Sequence, residues 1–314
     1  MKKLVIIDGH NLIFRAFYGV APLADKQGNP SNAIYGFASM LFGILALEKP
    51  DFLALTFDIG KSFRHETYPA YKGTRQKCPE ELISQMPKIY NMVDIMKIPS
   101  FSVKGYEADD VIGTLAHKVV EKEDDILVHI ISGDKDLFQL VKDRVVIAVP
   151  QRRGGAPIYY QHDEVVEKMG VTPDQVPDFK GLAGDSSDNI KGVEGIGPKG
   201  ASKLLEEFQN LEGVYENLAH IKGSAQKKLE THKDSAFMSR ELGTIVTDVP
   251  VNFSLDDLNY QGISEEILHF FQDLHFHTLI GRAQRFMKNA PSVSDTQEAL
   301  QNKKPDPAEQ MSLF

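Results

Sequence analysis

Short, continuous runs of aliphatic residues alternate with longer helix-like segments, and this alternation constrains the fold more than any other feature of the chain. The runs lack the polar–apolar alternation of half-exposed strands, so they predict parallel strands that are buried on both faces. Strands that alternate with helices predict an α/β fold with a mainly parallel sheet flanked by helices. The predicted strands are residues 3–7, 52–57, 126–131 and 145–149.

An aspartate closely follows three of these strands, at Asp8, Asp58 and Asp134. Any one of them could be an ordinary turn residue or a helix cap. Because the carboxyl ends of parallel strands meet at one edge of a sheet, where ligands bind, the repeated pattern instead predicts a shared site at that edge.

A dense acidic stretch, Glu107, Asp109 and Asp110, opens a segment whose apolar residues recur with helical spacing. The positive N-terminal end of a helix dipole would account for one or two of these carboxylates. Three carboxylates so close together raise one another's pKa and repel, and a bound divalent cation would remove that repulsion. The stretch and the strand-end aspartates therefore predict a common metal site.

Nine carboxylates in all are candidates for this site, and an all-oxygen set without His or Cys favours Mg²⁺ or Mn²⁺ over zinc. More ligands than one ion needs predict two ions, which could clamp a phosphodiester and generate hydroxide at neutral pH. The formal net charge of the chain is −9, so without these nine it would be 0. The candidates are Asp8, Asp58, Glu107, Asp109, Asp110, Asp134, Asp136, Asp185 and Asp188.

The composition of the 314 residues, 42% hydrophobic and 25% charged, is that of a globular protein with one large domain or two unequal ones. The single cysteine, Cys78, excludes an intrachain disulfide and indicates a reducing compartment. We expect neither a signal peptide nor a membrane span, because the first apolar run is short and is interrupted by Asp8.

The segment 61–77 carries five basic residues against one acid, with aromatic residues interleaved. We expect it to leave the core and to contact a polyanion whose bases can stack. Further on, the glycine-rich segment 192–201 opens a helix over 202–208. Its backbone N–H groups could approach a phosphate, although Gly-x-Gly also occurs in plain tight turns.

Apolar patterns predict three further helices. One covers 32–47, one carries an apolar stripe from Leu82 to Met96 with a kink at Pro87, and a closing helix covers 264–286. Residues 289–314 are rich in Pro, Ser, Gln and Lys, and we expect them to be disordered.

Seven stretches of the sequence together resemble the 5′-nuclease (flap endonuclease) family, in particular the N-terminal 5′–3′ exonuclease domain of bacterial DNA polymerase I. The similarity covers residues 1–287, and its specificity comes from the occurrence of all seven stretches in order, since each alone is a weak signal. The stretches are 5–11, 57–58 with 63–66, 71–75, 105–110, 133–137, 184–189 and 192–201.

The resemblance implies a PIN-like α/β core at 1–160 with a helical arch at about 61–97. It also implies a helical domain at 161–288 that contains a helix–three-turn–helix module, followed by the tail at 289–314. The ligands implied for one metal ion are Asp8, Asp58, Glu107 and Asp109, those for the other are Asp134, Asp136 and Asp188, and Asp110 and Asp185 line the pocket.

By the same resemblance, a second group of residues would contact the nucleic acid. The catalytic candidates Arg15, Tyr71, Lys72 and Arg75 would grip the phosphate backbone and stabilise the charged transition state. The glycine-rich loop would hold duplex DNA by its shape and could bind a K⁺ ion. The DNA-binding candidates are Arg64, Gly195, Gly197 and Lys199.

The implied activity is that of a structure-specific 5′–3′ exonuclease and 5′-flap endonuclease, which acts on branched or nicked DNA and on RNA primers in replication and repair. A PIN-type ribonuclease for single strands would share the carboxylates but lack the basic arch and the duplex-binding module. A catalytically inactive DNA-junction binder would be expected to have lost some of the carboxylates. The implied location is the bacterial cytoplasm, at the nucleoid.

The resemblance stops near the C-terminus, where relatives of the polymerase I type continue into further domains. The chain is therefore either a free-standing nuclease or a fragment of a longer polymerase. Its last five residues are similar to the short peptide with which bacterial replication proteins bind the sliding clamp, which implies clamp binding through Gln310, Leu313 and Phe314.

Overall fold

A six-stranded sheet forms the centre of the molecule, which is described here by a computed structural model covering residues 1–151 and 155–289. The strand order is β3-β2-β1-β4-β5-β6, and all neighbours are parallel except β5 and β6. The four predicted strands are confirmed, and two short edge strands are added to them. The strands are β1 (Lys2–Asp8), β2 (Phe52–Thr56), β3 (Ser100–Phe101), β4 (Ile126–Ile131), β5 (Val145–Val149) and β6 (Ile158–Tyr160).

The register of the central strands brings their carboxyl ends level with one another. Ile7 of β1 lies opposite Leu55 of β2 on one side and Ile131 of β4 on the other. The residues that follow these strands therefore leave the sheet side by side. This is the geometry needed for the predicted acidic edge.

Helices cover both faces of the sheet, as expected for a parallel sheet that is buried on both sides. One face packs against α1, α2, α5, α13 and α14, and the core on the other face contains α6 and α7 to α12. The helices are α1 (Gly9–Gly19), α2 (Asn32–Glu48), α3 (Phe63–Thr67), α4 (Glu80–Ile83), α5 (Met86–Ile95), α6 (Ala108–Lys122), α7 (His162–Met169), α8 (Val176–Ala183), α9 (Pro198–Phe208), α10 (Leu211–Glu216), α11 (Ser224–Thr231), α12 (Lys233–Gly243), α13 (Glu266–Asp273) and α14 (His277–Asn289). Among these described helices, none is both long and apolar enough to cross a bilayer.

The helix predicted around Leu82 to Met96 is two helices, α4 and α5, separated at Gln85. The buried Gln85 side chain closes the start of α2: its Oε1 accepts the Ala33 N–H at 2.8 Å, and its Nε2 donates to Asn32 Oδ1 at 3.1 Å. Pro87 lies in the first turn of α5 instead of kinking a longer helix. The apolar stripe of this segment is buried in the core, through Leu82, Ile89, Met92, Val93 and Met96.

The predicted closing helix is also two helices, α13 and α14, which are separated by a turn in which His275 has a positive φ of 58°. The turn lets both helices pack against the first half of the chain. Phe271 and Phe286 lie against the ring of Phe42 from α2, with centroid distances of 6.0 and 5.9 Å. The end of the predicted helical domain 161–288 thus returns to the α/β layer.

Candidate metal centre

Asp8 is a buried carboxylate at the centre of the acidic edge. It ends β1 and caps α1, where its Oδ1 accepts the Asn11 N–H at 2.9 Å and its Oδ2 accepts the Ser132 hydroxyl at 2.8 Å. Burial raises its pKa to about 7 against these hydrogen bonds, and the charges of Asp58 and Asp134 add to the rise. Carboxylates from three different strand ends therefore interact at this edge of the sheet.

Two more carboxylates belong to the same electrostatic network. Burial raises the pKa of Asp109, and the charges of Asp134, Asp8 and Asp136 raise it further. Burial also raises the pKa of Asp136 to about 7, although the Lys180 ammonium opposes this rise. Carboxylates that hinder one another's ionisation are a donor set that fits hard divalent cations, which would neutralise them.

Asp58 lies at the mouth of this pocket, with its side chain 48% exposed. Its Oδ1 accepts the Ala108 N–H at 2.8 Å, which ties the end of β2 to the start of α6. His10 fixes the backbone of Asp58, because its Nδ1 accepts the Asp58 N–H at 3.0 Å. The other ring nitrogen of His10, Nε2, lies 3.3 Å from the Tyr90 hydroxyl. Burial lowers the pKa of His10, which favours the neutral ring that this contact needs. His10 was not among the predicted site residues.

A second cluster lies beside the first. One oxygen each of Asp136, Asp185 and Asp188 can be chosen so that all three lie within 4.8 Å of one another, close enough to hold one metal ion. The Lys180 ammonium contacts Asp136 and lies 2.8 Å from Asp185 Oδ2. Burial disfavours ionisation of Asp185, but Lys180 and the hydrogen bonds from Ser187 outweigh it and lower its pKa to about 2. Sequence reasoning missed Lys180, because nothing in its local pattern indicates a buried position.

Tyr71 joins the two clusters. Its hydroxyl lies 3.0 Å from Glu107 Oε2 and 3.1 Å from Asp188 Oδ2, and the residue is only 3% exposed. Burial and then the charges of these two carboxylates raise the pKa of Tyr71 far above its usual value, so the single hydroxyl proton stays between them. Lys72 Nζ lies beside this contact and donates to Glu107 Oε1 at 2.8 Å.

The segment around these residues, the 68–75 turn, lies directly on the loop that carries Asp188. Lys72 N–H donates to the Asp188 carbonyl at 2.9 Å, and Asn189 Nδ2 donates to the Ala70 carbonyl at 2.7 Å. Arg75 contacts the Asp188 carboxylate and donates from Nε to the Ser187 carbonyl at 3.4 Å. The basic part of the predicted arch therefore meets the acidic pocket, as a turn that follows the short helix α3.

Asp110, predicted to line the metal pocket, and Arg64, predicted to bind DNA, instead form a buried ion pair. Asp110 is fully buried and accepts both Arg64 Nη1 and Nη2, at 2.7 and 2.8 Å, and also the N–H groups of Glu107 and Val246. Arg64 is 2% exposed and donates as well to a backbone carbonyl, that of Leu242. With its oxygens occupied in this way, Asp110 is not brought into the metal cluster, and Arg64 is not available to DNA.

Arg15 lies near the carboxyl end of β4. It donates to the Pro150 carbonyl, and its Nη1 lies beside Gly133, the residue before Asp134. Asn11, one turn earlier on α1, accepts the Gly133 N–H at 3.0 Å. Arg15 is thus at the rim of the acidic edge, where a positive charge could meet an incoming phosphate.

The predicted glycine-rich loop forms the wall of a cleft of about 550 Å³ at the N-terminus of α9. Gly195, Gly197 and Lys199 line it, together with Lys228, whose Nζ donates to the Gly195 carbonyl at 2.9 Å. Gly195 has a φ of 80°, and a Cβ there would come within 2.8 Å of the Lys228 ammonium. The loop therefore presents backbone and lysine side chains, which suits contact with phosphates.

A parallel sheet with an acidic pocket at its carboxyl edge, extended by a helical module with a glycine-rich cleft, defines an α/β protein with a candidate metal centre. More specifically, the chain belongs to the 5′–3′ exonuclease family. Residues 3–170 match the N-terminal resolvase-like domain of this family, and residues 171–266 match its C-terminal SAM-fold domain.

The relatives of the chain are bacterial polymerases. DNA polymerase I of Bacillus subtilis (strain 168) is 46% identical over 284 residues, which cover 90% of this chain and 32% of that protein. DNA polymerase I of Caldicellulosiruptor bescii is 42% identical over 284 residues, which cover 89% of this chain and 33% of that protein. The chain thus spans about a third of the length of the curated relatives it matches.

Solved structures share the fold at lower sequence identity. T5 5′-exonuclease with bound zinc ions matches with a TM-score of 0.65 at 24% identity, covering 92% of this chain and 100% of that one. The catalytic core of Rad2 in complex with a DNA substrate matches with a TM-score of 0.62 at 15% identity, covering 91% of this chain and 92% of that one. At these identities the likeness establishes the architecture.

Proposed function

We propose that the chain is a metal-dependent 5′–3′ exonuclease and 5′-flap endonuclease that hydrolyses DNA phosphodiesters at the acidic edge of its sheet. The observation that carries this proposal is the convergence of carboxylates from three separate segments: the charge of Asp134 raises the pKa of Asp8, Asp109 and Asp136. The family of 5′–3′ exonucleases to which the chain belongs supports the direction of cleavage.

Two Mg²⁺ or Mn²⁺ ions fit the donor set, which consists of oxygens only. When bound, they would supply an activated water and neutralise the charge that develops on the phosphate. The ligands proposed for one ion are Asp8, Asp58, Glu107 and Asp109. Those proposed for the other are Asp134, Asp136 and Asp188, and Asp185 lies close enough to Asp136 and Asp188 to join them.

The cations of the 68–75 turn would receive the scissile phosphate. Lys72 and Arg75 touch the carboxylates of Glu107 and Asp188, so a phosphate that enters the pocket meets both side chains. Tyr71 keeps its proton and would orient these two carboxylates through its hydroxyl. Such fixed donors stabilise a transition state because no reorganisation is needed during the reaction.

The duplex beside the cleaved strand would lie on the cleft of Gly195, Gly197 and Lys199. Contacts of this kind go to the phosphate backbone and read shape, so branched and nicked duplexes of any sequence are the proposed substrates, and RNA primers are included. The Rad2 core, which has the same architecture, was solved in complex with a DNA substrate. Carbonyls of this loop could also hold a K⁺ ion.

A digest of three labelled substrates tests the proposal directly. We expect 5′-flap DNA and nicked duplex to be cleaved with Mg²⁺ and to remain intact with chelator, leaving 5′-phosphate ends. Preferential cleavage of single-stranded RNA would indicate a PIN-type ribonuclease instead. Tight binding of flap DNA without any cleavage would indicate a catalytically inactive junction binder.

Replacing Lys72 by Ala should slow cleavage roughly 10²-fold, the usual effect of removing one fixed donor to a developing charge. Lys72 Nζ donates to Glu107 at the centre of the pocket, whereas the exposed Lys104 does not lie among the site residues described above. The single-turnover cleavage rate is the measurement, with Lys104→Ala as the matched control. A Lys72→Ala rate equal to that of the control would remove Lys72 from the proposed role.

The C-terminal peptide is proposed to bind the bacterial sliding clamp through Gln310, Leu313 and Phe314, which lie outside the described residues, as does most of the predicted disordered tail 289–314. Deleting residues 310–314 should abolish retention of the chain on immobilised clamp. Retention equal to that of the intact chain would contradict this. Clamp binding would bring the protein to replicating DNA in the bacterial cytoplasm, at the nucleoid.

A further inference from the structure

Among the cations that contact Asp136, Asp185 or Asp188 in the described part of the chain, Lys180 is the most deeply buried. It belongs to α8 and is 5% exposed, and its ammonium contacts Asp136 and lies 2.8 Å from Asp185 Oδ2. Arg75, which contacts Asp188, belongs to the 68–75 turn and has a side chain that is 49% exposed. Lys180 is therefore the buried cation of this second cluster.

The position of Lys180 is fixed by helix packing. Its aliphatic stem crosses Gly243 at the end of α12, where a Cβ would lie 2.8 Å from Lys180 Cδ. The helix that carries it is held equally closely, since a Cβ at Gly181 would lie 3.0 Å from the Ala236 carbonyl oxygen. A glycine at each contact lets α8 and α12 approach, so the Lys180 stem is packed tightly where the two helices meet.

The same ammonium shares its carboxylates with the candidate ligands of the second metal ion. Two of the three residues that could hold that ion, Asp136 and Asp185, are ion-paired to Lys180. A positive charge on a shared carboxylate attracts electron density from it and repels a divalent cation nearby. It also satisfies carboxylates that would otherwise be buried without a counter-ion.

We propose that Lys180 is a built-in counter-ion of the second metal site, which keeps Asp136 and Asp185 assembled without metal and weakens the binding of a divalent cation there. This inference rests on the proposed metal-dependent function. Its consequence is that the second ion binds the free protein weakly and binds tightly only when a substrate phosphate supplies further negative charge. Lys180 is thus a positioning residue that couples metal loading to substrate.

The test is a Mn²⁺ titration of the intact, DNA-free chain, followed by electron paramagnetic resonance. Lys180→Met removes the ammonium, and Lys180→Gln removes the charge but keeps a hydrogen-bond donor. We expect both variants to bind the weaker Mn²⁺ ion at least tenfold more tightly than the unmodified chain. Asp188→Asn, added to each chain, removes a candidate ligand of the second ion. The Mn²⁺ binding event that this change weakens therefore belongs to the second site. Lys118→Met is the control, because Lys118 is a half-buried lysine that donates to the carbonyls of Val249 and Val251.

A melting experiment in chelator completes the test. We expect both Lys180 variants to melt at a lower temperature than the control in chelator. Added Mn²⁺ should raise their melting temperatures to that of the control, because the ion takes over the counter-charge. Unchanged or weaker Mn²⁺ affinity in both variants would overturn the inference, and so would unfolding that Mn²⁺ does not reverse. If the unmodified chain bound no Mn²⁺ at all, the proposed function would fail together with it.

Discussion

Replacing Asp134 by Asn is expected to reduce the cleavage rate by about 10²–10³-fold while leaving the affinity for flap DNA unchanged, since loss of one preorganised electrostatic group costs that much. The charge of Asp134 raises the pKa of Asp8, Asp109 and Asp136, so it lies at the centre of the network. Asn keeps the oxygen that accepts the Asp136 N–H at 2.9 Å, so the local turn should survive. The single-turnover rate and a gel-shift titration without divalent metal are the two measurements.

The stability of the metal-free protein gives a second measure of the same residue. Because the substitution removes a repelling charge, Asp134→Asn should unfold at a urea concentration equal to or above that of the unmodified chain in chelator. Asp143→Asn, which neutralises an exposed aspartate, is the matched control. Near-normal cleavage by Asp134→Asn, or loss of DNA binding together with cleavage, would contradict the proposed site.

Replacing Arg64 by Met is expected to lower the free energy of unfolding by about 3–5 kcal/mol, the cost of leaving one partner of a buried ion pair alone. The fully buried Asp110 would lose its counter-ion and two hydrogen bonds of 2.7 and 2.8 Å. The carbonyls of Leu242 and Thr244 would lose their donor as well. Urea unfolding in chelator measures the effect without interference from bound metal.

A double-mutant cycle separates the pair from its surroundings. Arg64→Met combined with Asp110→Asn should be destabilised by much less than the sum of the single variants, because the isolated charge is gone. Lys61→Met serves as the control, since Lys61 is an exposed basic residue of the same segment. A loss below about 1 kcal/mol in Arg64→Met, together with weaker DNA binding, would return Arg64 to the DNA-contacting role predicted from sequence.

The strands and the acidic edge could be predicted because both depend on local pattern and simple topology. A continuous aliphatic run is a strong sign of a buried parallel strand, and parallel strands bring their ends together. The short strands Ser100–Phe101 and Ile158–Tyr160 were missed because two or three residues carry no periodicity. The breaks at Gln85 and His275 were missed because tertiary contacts, and not local propensity, place them.

Some site residues differ from the prediction because their surroundings are set by the folded chain and not by the local sequence. Asp109 and Asp110 are neighbours in sequence, but successive residues of a helix point about 100° apart, so one carboxylate enters the pocket and the other enters the core. Arg64 lies in a basic segment and therefore looks exposed, yet its partner Asp110 is distant in sequence. Lys180 and His10 were missed for the same reason, since only the folded chain brings them to their carboxylates.

The buried Arg64 guanidinium bears on how far this protein can be dissected. Its acceptors come from Asp110 in the region that matches the resolvase-like domain, and from Leu242 and Thr244 in the region that matches the SAM-fold domain. If residues 3–170 were produced alone, Arg64 would keep Asp110 as its partner but would lose the carbonyls of Leu242 and Thr244. The regions that match the two family domains therefore share one buried polar network, and separating them would leave its donors and acceptors without partners.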